Sequence, residues 1–125
     1  MTYVDGFLLA VPTANREAYR AMAAKAVPVF EEYGALHIVE CWSDDVPKGK
    51  VTDFYRAVQA KEDEAVVFAW IVWPSKAVRD AGVAKCMTDP RMKPDHDTLP
   101  FDGQRSIFGG FETILDSRVD AKEAA

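Results

Sequence analysis

The stretch from Ala65 to Trp73 is nearly all apolar and rich in β-branched and aromatic residues. It is far shorter than the roughly 20 apolar residues needed to cross a bilayer, and its composition is typical of a strand. Because apolar side chains occupy consecutive positions, both faces of this strand must be covered. The segment therefore predicts a central strand, and this requirement constrains the fold more than any other feature of the chain.

A strand and a helix precede it near the start of the chain. Tyr3 to Val11 is rich in strand formers and ends at Pro12-Thr13. Thr13 is a candidate N-cap for a helix whose apolar positions recur at helical spacing up to Gly34, the expected C′ residue. Pro28 lies inside this helix and cannot donate a hydrogen bond to the carbonyl of Ala24, which predicts a kink or a break into two pieces.

The remaining segments complete the predicted order of elements. Ala35 to Trp42 reads as a second strand, and Ser43 to Glu64 begins with a turn and continues as either a hairpin extension or a short helix. Pro74-Ser75 starts a second helix that Asp89-Pro90 ends. Arg91 to Gly103 is predicted to be a loop, and Gln104 to Leu115 a last strand.

The order βαββαβ predicts an α+β, ferredoxin-like fold, with a four-stranded antiparallel sheet and two helices on one face. Residues 1–116 are expected to form a single domain, followed by a frayed tail at 117–125. The second face of the sheet would expose apolar side chains in a monomer, so we expect a symmetric homodimer.

Charge and cysteine content exclude several classes of partner. The formal net charge is −5 and the basic residues are scattered, so neither nucleic acid nor an anionic membrane is an expected partner. The first residues lack a basic segment followed by an apolar run, which argues against secretion. Cys41 and Cys86 are far apart and suit buried thiols in a reducing compartment, so a cytoplasmic location is expected.

Several short motifs spread along the chain resemble those of one bacterial family. They include Val39-Glu40-Cys41-Trp42, Trp70-Ile71-Val72-Trp73-Pro74-Ser75, Asp89-Pro90-Arg91-Met92 and Phe108-Gly109-Gly110-Phe111. The chain resembles the YbaA-like family, classed as domain of unknown function 1428, over nearly its whole length. The resemblance implies a dimeric α/β barrel, in which two ferredoxin-like sheets face each other, and it implies no established catalytic residues.

Carboxylates on the strands are the main candidates for chemistry. Alternation of side chains predicts that Asp5, Glu40 and Glu112 share one surface, and we expect that surface to face the dimer partner. A carboxyl among apolar groups has a raised pKa and can act as a general acid or base. The side chains expected to contact a substrate there are Tyr3, Trp42, Phe68, Trp70, Phe108 and Arg105. The alternative is that these carboxylates are solvated or belong to structural ion pairs.

Other candidates are weaker. His37 suits proton transfer but also a purely structural role. Asp95-His96-Asp97 contains possible metal ligands, although neighbouring residues in one loop rarely complete a coordination sphere, so no metal site is predicted. Nucleotide-binding glycine loops and a serine-hydrolase elbow are absent from the sequence, and no cofactor is expected.

Two functions remain open. The first is a cofactor-independent enzyme, of monooxygenase or isomerase type, that acts on a small hydrophobic molecule in a cleft lined by the sheet. The second is a non-catalytic module that binds a small molecule or serves a stress response. Fold analogy alone cannot choose between them.

Overall fold

The computed structural model describes residues 1–93 and 99–118, and in these residues four strands form one antiparallel sheet. The strands are β1 (Tyr3–Pro12), β2 (His37–Trp42), β3 (Glu64–Trp73) and β4 (Ile107–Glu112), and the helices are α1 (Arg16–Glu32), α2 (Phe54–Ala57) and α3 (Lys76–Thr88). Three short 3-10 turns cover Thr13–Asn15, Pro90–Met92 and Gly103–Arg105. The spatial order is β2-β3-β1-β4, so β3 is internal and the α+β, ferredoxin-like prediction is confirmed.

Helix α1 begins later than predicted and is not broken. Thr13 belongs to a 3-10 turn, and Asn15 occupies the N-cap position of α1 without a side-chain capping bond. Pro28 removes one backbone donor, yet α1 continues to Glu32 because neighbours such as Val29 are packed in the core. Gly34 has a φ of 114°, the left-handed conformation expected of a C′ glycine.

Side chains of the sheet divide into two faces, which the register fixes. One face, called here the helix face, carries Asp5, Phe7, Leu9, Val11, Ile38, Glu40, Trp42, Val67, Ala69, Ile71, Trp73, Phe108, Gly110 and Glu112. Tyr19 of α1 packs against this face, as do Phe30 of α1 and Val78 of α3. The helices therefore cover the same face on which the three candidate carboxylates lie.

Helix α3 approaches the sheet closely at Gly82. Its N-cap Ser75 accepts a hydrogen bond from the backbone N–H of Val78, and the helix ends at Thr88, as predicted. A Cβ on Gly82 would lie 2.6 Å from Cζ3 of Trp73, a residue with no exposed surface. Only glycine permits this contact between α3 and the sheet.

The opposite face, called here the open face, carries Leu8, Phe68, Trp70, Ile107, Phe111 and other residues of the same register set. The segment 43–63 forms a short helix rather than a hairpin, and α2 with the residues after it covers one end of this face. Val58 packs there with Ala10 and Val66, and Phe54 packs edge-on against Phe68. The rest of the open face remains exposed, with Phe68 at 48% and Phe111 at 62%.

Two sequence predictions fall wholly or partly outside the described residues. Asp95-His96-Asp97 lies there entirely, as does most of the predicted tail 117–125. Within residues 1–93 and 99–118, no helix is long and apolar enough to span a bilayer. The same part of the chain contains no cluster of three or more potential metal ligands.

Candidate functional site

A cavity of about 430 Å³ lies between α1 and the helix face of the sheet. Helix α1 supplies Met22, Ala23, Ala26, Val27 and Phe30 to its wall, and the sheet supplies Phe7, Leu9, Ile38, Ala69 and Ile71. Phe101, which follows the loop after α3, packs edge-on against Tyr19 with a centroid distance of 5.8 Å and closes one side. The walls are therefore almost entirely apolar.

Two polar side chains meet at the wall of this cavity. Tyr19, on α1, is buried, and its hydroxyl donates a hydrogen bond to Oε2 of Glu40 on β2 over 2.9 Å. A buried tyrosine needs such a partner for its hydroxyl. Among the described residues, this is the only hydrogen bond to the Glu40 carboxylate, and Oε1 has no partner there.

The surroundings shift the pKa of both groups upward. Apolar neighbours desolvate the Glu40 carboxyl and raise its pKa, and the hydrogen bond from Tyr19 partly opposes this effect. Glu40 as a residue is nonetheless exposed, because it lies on the edge strand. Burial, followed by the charge of Glu40, raises the pKa of Tyr19 far above its usual value, so the phenol stays protonated at neutral pH.

A second cavity, of about 510 Å³, lies on the other side of the Tyr19–Glu40 pair. Its wall is more polar and includes Arg16 and Trp42. The Arg16 guanidinium lies over the Trp42 ring, 5.4 Å from the ring centroid, in a cation–π contact. Trp42, a predicted substrate contact, is therefore placed in this second cavity. Glu40 borders both cavities.

Ser106 lies at the opposite edge of the first cavity, just before β4. Its hydroxyl oxygen is shielded from water and has no hydrogen-bond partner among the described residues. Buried hydroxyls without partners are uncommon and call for an explanation.

Asp5 does not belong to the cavity, contrary to the prediction. Its Oδ2 accepts a hydrogen bond from Nε1 of Trp73 at 2.9 Å, and its Oδ1 lies 2.9 Å from Nη2 of Arg79. The Arg79 guanidinium also stacks on the ring of Tyr3, 5.1 Å from its centroid. Asp5 and Tyr3 thus form a structural network with α3, which is the alternative that the sequence left open.

Arg105 does not pair with the candidate carboxylates either. Its two terminal nitrogens each lie 2.6 Å from a carboxylate oxygen of Glu64, and its Nε contacts Asp102. The hydrogen bonds from Arg105 lower the pKa of Glu64 to about 2. This pair fixes the turn before β4 against the start of β3.

The remaining predicted residues are dispersed. As expected, one face of the sheet carries Asp5, Glu40 and Glu112. However, α1 and α3 pack on part of this face and leave Glu112 exposed at the end of β4. Phe108 lies on that face and is 79% exposed, whereas His37 lies on the edge of the opposite face.

The prediction that Phe68 and Trp70 lie beside the carboxylates is wrong. Asp5 is paired with Ile71, so Trp70 and Phe68 lie on the open face, where their ring centroids are 5.4 Å apart. Trp70 is among the residues that border the first cavity, although the register places its side chain on the other face.

Neither Tyr19 nor Ser106 is among the site residues that the sequence predicted. Tyr19 carried one usable signal, a hydroxyl on an otherwise apolar helix face. Ser106 carried none, since a serine between a loop and a strand is ordinary.

Comparison with known proteins gives a family and a fold. The family model described as "Protein of unknown function (DUF1428)" matches residues 2–103. The "Uncharacterized protein YbaA" of Escherichia coli K12 is 63% identical over 116 residues, which cover 93% of this chain and 99% of that protein. The protein of the same name from Shigella flexneri matches with the same identity and coverage.

Solved structures of similar fold are much more distant in sequence. A dimeric ferredoxin-like protein from an uncultured marine organism superposes with a TM-score of 0.60 at 12% identity, covering 92% of this chain and 97% of that one. Rv0793 from Mycobacterium tuberculosis gives a TM-score of 0.50 at 13% identity, with coverage of 94% and 99%. At these identities the similarity concerns the fold alone.

Proposed function

We propose that this chain, which belongs to the DUF1428 family of proteins of unknown function, binds a small apolar molecule between α1 and the sheet. We further propose that Glu40 transfers a proton on that molecule without a cofactor, as in an isomerase. The observation that carries both statements is the Tyr19–Glu40 hydrogen bond at the wall of an apolar cavity.

The size and lining of the cavity support binding. Small-molecule sites usually measure about 300 to 1,000 Å³ and combine apolar walls with a few polar groups. The cavity of about 430 Å³ fits that description, with Glu40 and Tyr19 as the polar groups at one end. Its occupant would be a small, mostly apolar molecule.

The state of the two polar groups supports proton transfer. Because its pKa is raised, the Glu40 carboxylate is a stronger base once it is ionised. The efficiency of a general base improves as its pKa approaches the working pH. Tyr19 holds Oε2 of Glu40 and leaves Oε1 for the substrate.

The proposed step needs no other reactant. Glu40 removes a proton from a carbon next to a carbonyl group, which leaves an enolate and a neutral carboxylic acid. The carboxylic acid exchanges its proton with solvent and then returns a proton to that carbon or to a conjugated one. No electrons leave the substrate, and in D₂O the returned atom is deuterium. Oxygenation, in contrast, would need dioxygen as a further reactant.

The test uses 4-phenylbutan-2-one, an apolar ketone with exchangeable hydrogens beside its carbonyl. Proton NMR in D₂O would follow both its binding and the loss of those hydrogens. We expect the protein to accelerate exchange over buffer, Glu40→Gln to abolish the acceleration while binding remains, and the control Glu112→Gln to behave as the wild type. Binding without accelerated exchange would favour the non-catalytic binding module, and absence of binding would overturn the proposal.

The exposed part of the open face supports a second proposal, a homodimer that buries this face as a dimeric α/β barrel. Phe68, Ile107 and Phe111 form an apolar surface that the described part of the chain does not cover. The marine ferredoxin-like protein, which shares the fold, is itself dimeric.

The two cysteines, Cys41 and Cys86, are free thiols, which favours a reducing compartment. We therefore propose that the protein is located in the cytoplasm.

A further inference from the structure

The unpartnered hydroxyl of Ser106 adds a polar group to the other end of the cavity, away from Tyr19 and Glu40. The Ser106 Oγ is shielded from water and bonds to none of the described residues, while Ser106 itself forms part of the cavity wall. Rotation about the Cα–Cβ bond moves such a hydroxyl between staggered positions and can direct it to an occupant of the cavity. A ligand group that accepts or donates a hydrogen bond would satisfy it.

The backbone of Ser106 is held in place before any ligand arrives. Its N–H donates to the carbonyl of Gly103, and β4 begins at the next residue. The preceding Arg105 is fixed by Glu64 and by a bond to the carbonyl of Gln59. A polar group on a fixed backbone loses little entropy when it binds a ligand.

Glu40 and Ser106 lie at opposite edges of the sheet. The register places Glu40 beside Ala69, Ala69 beside Phe7, and Phe7 beside Phe108, in one row across all four strands. Three strand spacings of about 4.8 Å give roughly 14 Å between the ends of that row. Ser106 precedes Phe108 by two residues, so it lies near the far end of the row, and both polar groups border the same cavity.

We infer that the cavity selects an elongated apolar molecule with a hydrogen-bonding group at each end, and that Ser106 is a specificity-determining residue. This inference rests on the proposed function, because it places the reacting carbonyl at Glu40. The opposite end of the molecule then carries a hydroxyl or a similar group, which bonds to Ser106. A wholly apolar far end would leave the Ser106 hydroxyl unsatisfied.

The test compares two ketones that differ by one group, 4-phenylbutan-2-one and 4-(4-hydroxyphenyl)butan-2-one. Dissociation constants would be measured by NMR titration for the wild type, Ser106→Ala and the exposed control Ser117→Ala. One net hydrogen bond corresponds to about a three- to ten-fold change in affinity. We expect the wild type and S117A to prefer the phenol by that factor, and S106A to bind both ketones equally.

Each outcome separates the inference from the proposed function. Equal binding of both ketones by the wild type, or a phenol preference that survives in S106A, overturns the role of Ser106 and leaves the proposed function standing. Binding of neither ketone overturns both. Thermal unfolding supplies an independent readout, because a hydroxyl without a partner contributes no bond to the free protein. A clearly lower melting temperature for S106A would reveal an internal partner and contradict the inference.

Discussion

The Tyr19 hydroxyl and the Glu40 carboxylate, 2.9 Å apart, join helix α1 to the edge strand β2 at the wall of the cavity. The contact links stability to chemistry, because apolar surroundings raise the pKa of Glu40 while the hydrogen bond from Tyr19 lowers it. An ionised carboxylate in these apolar surroundings therefore lowers the stability of the folded state.

Glu40→Gln should therefore stabilise the protein at neutral pH. The pKa of Glu40 in the folded state lies above the ordinary value of 4.5, so stability is greatest below that value and is lost as the pH rises through the folded pKa. Glutamine does not titrate and can still accept the bond from Tyr19. Urea unfolding between acid and neutral pH should show little difference below pH 4.5 and a growing advantage of E40Q above it. An advantage that shrinks toward neutral pH would contradict the sign of this shift.

Arg79→Leu should destabilise the protein by about 3 to 5 kcal/mol, because it leaves the buried Asp5 carboxylate without its charged partner. The control Lys76→Leu breaks an exposed pair with Asp80, which solvent screens, and should leave the stability nearly unchanged. Urea unfolding would measure both. Equal effects of the two variants would show that Asp5 does not depend on Arg79.

Strand alternation explains why the grouping of the carboxylates was predictable and the rest of the site was not. Asp5 and Glu40 have the parity that the sequence suggested, and the register confirms it. β3 is apolar at consecutive positions, so nothing in its sequence shows whether Trp70 or Ile71 lies beside Asp5. A shift of one residue moves every side chain to the other face.

The sequence also could not show which charged side chains form ion pairs with each other. Asp5 meets Arg79, and Glu64 meets Arg105, only after the fold has brought distant segments together. The order of elements, in contrast, follows from local signals such as the Ser75 cap and the left-handed Gly34, and it was predicted.

Arg105→Met should remove part of the acid sensitivity of the fold. The pKa of Glu64 is about 2 when it is paired with Arg105, so this pair stabilises the protein above pH 4.5 and the stabilisation is lost as the pH falls toward 2. Unfolding experiments should show the wild type well above R105M at neutral pH, with the two converging toward pH 2. A constant difference across this range would exclude the assigned pairing.

Phe111→Lys should dissociate the proposed dimer, because it places a charge on the exposed apolar surface of the open face. Met87→Lys is the control, since Met87 is also exposed but lies on α3, which packs on the helix face. Sedimentation velocity should report a monomer for F111K and a dimer for the wild type and M87K. A wild-type monomer would rule out the dimer.

The most direct test of the account is calorimetric binding of 4-phenylbutan-2-one to two neighbouring variants of α1. Ala23→Leu adds three carbons to the wall of the cavity, whereas Ala24→Leu adds the same atoms on the exposed side of the helix. Leucine and alanine have similar helix propensities, so both variants should fold. We predict that A24L binds the ketone as the wild type does and that A23L binds it at least about ten-fold more weakly, a loss of about 1.4 kcal/mol. Equal affinity of both variants, or no binding to the wild type, would contradict a ligand site between α1 and the sheet.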